Sequence, residues 1–225
     1  MIVYHGSPEI VEVPVYGKGS ETNDYGRGFY CTESAQLAKE WACPTVKDGF
    51  ANQYELDLSD LKVLYLNKEG YNILNWLAIL LRYRTFPIRS PIARQANQYI
   101  LEEFFPDISG YDVILGYRAD DSYFSFAKDF INNTISVNQL AQAMKLGELG
   151  EQIVLKSPKA FEKVHFIGYE IADSSIYQPQ RKAREDRARA AYLGEHGANF
   201  EIGENDLFVR DIISGKVKNN DSRLW

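Results

Sequence analysis

Clustered strand patterns, helix-length runs that do not alternate regularly with them, and a long helix-forming tail predict an α+β domain. Short apolar strand patterns fall at 2–4, 28–31, 53–58 and 61–66, and helical patterns dominate residues 70–105 and 121–145. Strands return at 113–115, 151–155 and 164–171. That order is not a βαβ repeat, which argues against a doubly wound nucleotide-binding sheet. With 225 residues, 45% hydrophobic and 25% charged, the chain can fill one core and does not have the composition of a disordered protein.

The elements follow in order. Ile2 to Tyr4 reads as a strand, and the glycine- and proline-containing stretch 6–28 as loop. Gly28 to Cys31 is a short strand. Thr32 or Ser34 then caps a helix through Cys43, with Ala35, Ala38, Trp41 and Ala42 at helical spacing. Gln53–Leu58 alternates as a strand, and Leu61–Leu66 reads as a more buried one. Helices are expected over Gly70–Arg82 and Ile92–Phe105, with Pro87 and Pro91 between them. After strand Val113–Leu115, Asp121 or Ser122 caps a helix to Ile131, and Ser136 caps another to Lys145. Strands Glu151–Leu155 and Val164–Ile171 follow. The tail is helical over Ser174–Leu193 and Asp206–Ile213.

Several classes are disfavoured. A net charge of −6 argues against a nucleic-acid binder held by phosphate neutralisation. Arg181–Arg189 has five basic residues against two acids, and reads as the solvated face of a helix. Cys31 and Cys43 form no metal pattern with His5, His165 and His196. They read as reduced thiols, with a disulfide as the alternative. The amino terminus carries no secretory leader pattern, and the apolar run Ile73–Leu81 is too short to span a bilayer. The expectation is a cytoplasmic protein with no membrane partner.

Chemistry concentrates in two early motifs. Tyr4-His5-Gly6-Ser7 puts a directional ring beside a backbone free of side-chain bulk. Asp24-Tyr25-Gly26-Arg27-Gly28-Phe29-Tyr30 offers close backbone approach next to aromatic faces. Gly26-Arg27-Gly28 lacks a third glycine and precedes a strand, so it is not a dinucleotide fingerprint. Between a strand and a helix lies Arg118-Ala119-Asp120-Asp121-Ser122-Tyr123-Phe124.

In this order and spacing, the motifs resemble the ADP-ribosyltransferase superfamily, in its poly(ADP-ribose) polymerase and diphtheria-toxin-like branch. That branch is defined by a histidine, a tyrosine and a glutamate on separate elements. With the 116–124 stretch, the sequence is more narrowly similar to the bacterial DUF3990-type domains. The resemblance covers residues 1–171, which it makes an NAD-binding domain with a split two-sheet core and helical decorations. Residues 172–225 are then a helical extension packed on it.

The resemblance implies NAD as co-substrate, with no metal. It assigns His5 to a ribose hydroxyl and the Gly6 backbone to the nicotinamide amide, with Ser7, Tyr25, Gly28 and Phe29 along the same cleft. Tyr30 flanks the nicotinamide. Trp41, eleven positions on, stands where the branch has a stacking tyrosine, and is either that stacking face or core. An indole stacks well on a cationic pyridinium. Arg118 suits the pyrophosphate, and Asp120 suits a base or nucleophile-orienting role. The position before the apolar strand Ile153–Leu155, where the branch has glutamate, holds Gln152. Glu151 lies one residue earlier and reaches the same face only through a bulge.

The activity implied is mono-ADP-ribosylation of a macromolecular acceptor. Alternatives are NAD hydrolysis, or non-catalytic binding of NAD or ADP-ribose. Toxin-like context implies a small antitoxin-like protein partner and a toxin–antitoxin or defence role.

Overall fold

The computed structural model describes residues 1–119, 121–146, 150–198 and 206–225, with backbone alone for 121–123 and 195–198. Two sheets and eight α-helices lie among the described residues, so the chain is a mixed α+β protein. One sheet has the order β1 (Ile2–Ser7), β3 (Gly49–Leu56), β7 (Val164–Ala172), and is antiparallel throughout. The other runs β2 (Phe29–Cys31), β6 (Glu151–Leu155), β5 (Val113–Tyr117), β4 (Val63–Tyr65). In that second sheet only β4 and β5 pair in parallel, which departs from the doubly wound pattern.

The sheets share a core in which Val3, Tyr54 and Leu56 of one meet Val113, Ile153 and Leu155 of the other, and among the described residues one backbone bridge joins them. Tyr4 and Thr32 exchange backbone hydrogen bonds of 2.7 and 2.9 Å, joining β1 to the residue after β2. Either side of that bridge, β1 pairs with β3 and β2 with β6, so the strands splay and a cleft opens between them.

Helix α1 (Ala35–Ala42) starts at Ser34, whose Oγ accepts from the Leu37 N–H at 3.2 Å. It lies hard against β1. A Cβ on Gly6 would fall inside contact distance of the Ala38 carbonyl oxygen and 2.9 Å from Trp41 Cβ, so only glycine fits. Helix α2 (Ile73–Tyr83) is capped by Asn72 and buried from Ile73 to Leu81, as expected of a nine-residue apolar run. On it pack α3 (Pro91–Phe104) and α5 (Val137–Ala143), and α4 (Asp121–Ile131) packs on both of these.

Short helix α6 (Pro158–Glu162) was not expected. Its start signal is local: Ser157 Oγ accepts from the Ala160 N–H, and Pro158 takes the first turn. Strand β3 begins at Gly49, ahead of the expected Gln53. Its pairing with β7 slips between Gln53 and Tyr54, and Ala51 and Asn52 are both buried, so alternation fails there. In the tail, α7 (Ser174–Ala198) is not purely a solvated face. Arg184 grips the buried Glu40 of α1 with two bonds of 2.9 Å. Helix α8 (Val209–Ser214) packs on α3. No helix among the described residues is long and apolar enough to cross a membrane.

Candidate functional site

A cavity of about 450 Å³ fills the cleft between the sheets, within the usual range for small-molecule sites, about 300–1,000 Å³. Its wall gathers His5, Gly6 and Ser7 from β1, Gly28, Phe29 and Tyr30 around β2, Trp41 from α1, Gln152 from β6, and Arg118 after β5. These residues lie far apart in sequence, and the splay of β1 from β2 brings them to one place. Tyr25 and Glu151 do not line it. Asp120, like the side chains of Asp121 and Ser122, lies outside the described residues.

His5 has a defined chemical state. Its Nδ1 is 2.7 Å from the Tyr30 carbonyl oxygen, which only accepts, so Nδ1 carries the proton and donates. Burial holds the ring below the ordinary imidazole value of 6.5, against the upward pull of that carbonyl. The neutral ring therefore presents Nε2 as an acceptor. Phe29 backs it at 4.4 Å between ring centroids.

Tyr30 ties the second motif together. Its hydroxyl donates to the Gly26 carbonyl at 2.5 Å and accepts from the Tyr25 N–H at 3.0 Å. With both bonds internal, it is the ring rather than the hydroxyl that faces the cavity. Gly26 has φ of +70°, and a Cβ there would lie 2.6 Å from the Tyr83 ring, so the turn sits directly on the end of α2. Lys156 closes it from the other side, donating to the Tyr25 and Arg27 carbonyls. Burial lowers this lysine to about 8.

Tyr25 is core rather than cavity wall. It is fully buried, and its hydroxyl donates to the Tyr117 carbonyl at 2.6 Å, beside the Trp76 indole N–H at 3.0 Å. Ser7 Oγ accepts from the Glu9 N–H, turning the chain out of β1.

Strand β6 separates the two candidate acidic-end residues. Its pairing with β5 runs unbroken from Val113↔Leu155 to Tyr117↔Glu151, so alternation holds and Gln152 faces the cleft opposite Gly116. Gln152 is 6% exposed, and its Oε1 has no hydrogen-bond partner among the described residues. Glu151 is exposed and accepts from Asn67 Nδ2 at 2.6 Å, away from the cavity.

Trp41 faces the cavity, and a cation covers it: the Arg118 guanidinium lies 4.0 Å from the indole centroid. Sequence reasoning passed over the neighbours of this pair. Asp24, 6% exposed, accepts from the Ala119 N–H at 2.9 Å, and Arg84 lies 3.6 Å from its other oxygen. Burial raises the Asp24 carboxyl above its ordinary 3.8, opposed by the Ala119 N–H and then by Arg84 and Arg118. Asp24 stands one residue before the motif's aromatic-glycine core, which was the available signal. Arg84 carried none, because its role depends on where α2 ends.

Asn52 was also unforeseen. It is fully buried, donates to the His5 and Glu9 carbonyls, and accepts from the Val11 N–H at 2.9 Å, pinning the loop over the cavity. No group of three or more His, Cys, Asp or Glu side chains that could hold a metal occurs among the described residues. Both cysteines are buried free thiols.

The arrangement offers two acceptors, His5 Nε2 and Gln152 Oε1, to a ligand rich in O–H or N–H donors. It also offers a flat aromatic face and positive charge. No curated protein and no solved structure matches the chain. A family described as protein of unknown function (DUF3990) matches residues 1–166, the span that supplies every described residue lining this cavity. The chain belongs to the DUF3990 family.

Proposed function

We propose that the cavity is an NAD site and that the chain is a mono-ADP-ribosyltransferase acting on a macromolecular acceptor. The observation that carries this reading is the convergence of His5, Tyr30 and Gln152, from three strands of two sheets, on one cavity. Buried acceptors left without donors are costly, by about 1–3 kcal/mol each. Gln152 Oε1 is such an acceptor, and ribose hydroxyls of NAD offer donors to it and to His5 Nε2. The Gly6 backbone offers its peptide groups to the nicotinamide amide.

Arg118 on Trp41 supports a place for the pyridinium. A guanidinium is planar and cationic, as is the nicotinamide ring of NAD, so the indole face already suits such a group. On binding, Arg118 turns from the indole to the pyrophosphate. The bond from the ribose C1′ to the nicotinamide nitrogen then breaks, its electron pair leaving with nicotinamide. The acceptor nucleophile bonds to C1′ and gives up its proton.

Gln152 bonds the ribose through a neutral carbonyl, where a carboxylate would stabilise developing positive charge much more strongly. Slow transfer follows, and polymer elongation is not expected. The same neutrality favours a second reading, in which the cavity binds NAD or ADP-ribose without turnover. Labelled NAD separates the cases. Label on a macromolecule supports the transferase, free labelled ADP-ribose a hydrolase, and saturable binding with neither product a binding module. No binding at all overturns the proposal.

A further inference from the structure

Among the described residues the two sheets have four outer edges, and three of them are short or bridged. In the second sheet the edge strands β2 and β4 are three residues each. In the first, β1 is bridged to Thr32. The fourth edge, β7, differs. It is nine residues long, the longest strand described, and pairs on one side only, with β3. Its sequence, VHFIGYEIA, has no lysine, arginine or proline, and lysine and proline are residues that blunt free edges in natural sheets. Along it Ile167, Tyr169 and Ile171 are 50%, 48% and 64% exposed. A long, apolar edge of this kind is a template for a further strand.

The side-chain pattern of β7 selects which strand fits. Phe166 pairs with Tyr54 and Gly168 with the adjacent Gln53, so Ile167 is an extra residue and alternation reverses across it. Val164 and Phe166 before this bulge therefore share a face with Tyr169 and Ile171 after it, the face of Tyr54 and Asn52. His165 and Glu170 share the other face, where Lys39 of α1 meets Glu170 at 2.6 Å. In an unbulged strand His165 and Glu170, five positions apart, would lie on opposite faces.

A second β7 laid antiparallel, about a two-fold axis between Ile167 and Gly168, puts like faces together. Val164 then lies opposite Ile171, Phe166 opposite Tyr169, and His165 opposite Glu170, each pair occurring twice. Two of these pairs are apolar. In the third, an imidazole N–H meets a carboxylate. Both groups are free to take part: Glu170 is 48% exposed beyond Lys39, and His165 is exposed beside Glu55 of β3.

We infer that β7 pairs in this register with β7 of a second copy of the chain, joining two three-stranded sheets into one of six strands. The contact is isologous and closes on itself, so it removes the edge that would otherwise recruit further strands. No residue of β7 lines the cavity, and the pairing is independent of the NAD reading.

Sedimentation equilibrium of the full chain reads the assembly, in the wild type and in Ile167→Lys and Ile171→Lys, with thermal unfolding as the fold check. A dimer is expected for the wild type. Its dissociation constant should rise about 10-fold or more in each variant, because each change enters the contact twice. Mild oxidation reads the register. A mixture of His165→Cys and Glu170→Cys chains should form an intermolecular disulfide, and either variant alone should not. Within one variant the two introduced cysteines lie five positions, roughly 16 Å, apart, too far for a disulfide. Cys31 and Cys43 are buried and stay out of the reaction.

A monomeric wild type, or a dimer that either lysine variant leaves intact, overturns the pairing. So does a dimer whose mixed cysteine variants give no disulfide, or one in which either cysteine variant cross-links alone. If a lysine variant does not fold, the disulfide pattern decides.

Discussion

The Arg118 guanidinium covers the Trp41 indole at 4.0 Å, so the cavity's best stacking face already holds a flat cation of the protein's own. A pyridinium ligand must compete with it. Arg118→Ala is expected to bind 1-methylnicotinamide, a pyridinium without phosphate, several-fold more tightly than the wild type. The same variant should bind NAD about 10-fold more weakly, since it loses a phosphate partner. Fluorescence titration reads both, with Trp41→Phe identifying the signal against Trp76 and Trp225. Parallel changes for the two ligands contradict the exchange.

Gln152 and Glu151 lie side by side in sequence and on opposite faces of β6. Gln152→Ala should lower NAD affinity or transfer about 10-fold, through loss of one hydrogen bond and the contacts beside it. Gln152→Glu puts a carboxylate where positive charge develops, and should raise cleavage of labelled NAD by 10-fold or more. Glu151→Ala should change neither. A loss of activity confined to Glu151→Ala would place the wrong residue in the cleft.

His5 makes binding pH-dependent on the acid side. Its folded pKa lies below the ordinary 6.5, so the folded chain takes up this proton less readily than the unfolded one. The contribution to stability is complete above 6.5 and declines as pH falls from there through the lowered folded value. Protonation also turns Nε2 from acceptor into donor. Affinity for a ribose-bearing ligand should hold from pH 8 down to 6.5 and fall only below that, as pH passes through the lowered folded value, and His5→Asn should flatten the profile. A fall in wild-type affinity with its midpoint above 6.5 contradicts this assignment.

Gly6 lets α1 lie against β1. Gly6→Ala presses a methyl into the Ala38 carbonyl and Trp41 Cβ, backbone and side chain of a packed helix. The expected cost is about 3 kcal/mol or more. For a domain of this size that lowers Tm by roughly 6–12 °C, measured by calorimetry. An unchanged Tm contradicts the packing.

Much of this was legible in residues whose meaning is local. Ser34 and Ser136 announce their helices with side-chain caps, and the Ile73–Leu81 run is the buried helix it reads as. The family resemblance picked out His5, Tyr30 and Gln152, and strand alternation separated Gln152 from Glu151. Arg84 and Asn52 were not legible, and Asp24 was marked only by its place beside the motif. Each acts through a partner across the fold, as Asp24 does with Ala119 and Asn52 with Val11. Tyr25 looked like part of the aromatic motif, yet it points inward because Gly116 leaves room for its hydroxyl.

The most direct test is calorimetric titration of NAD into the wild type, His5→Ala and Gln152→Ala, with ADP-ribose as competitor. The account predicts saturable one-to-one binding by the wild type, displaced by ADP-ribose and weakened about 10-fold or more in each variant. NAD that fails to bind the folded wild-type chain, or binds all three proteins equally, contradicts it.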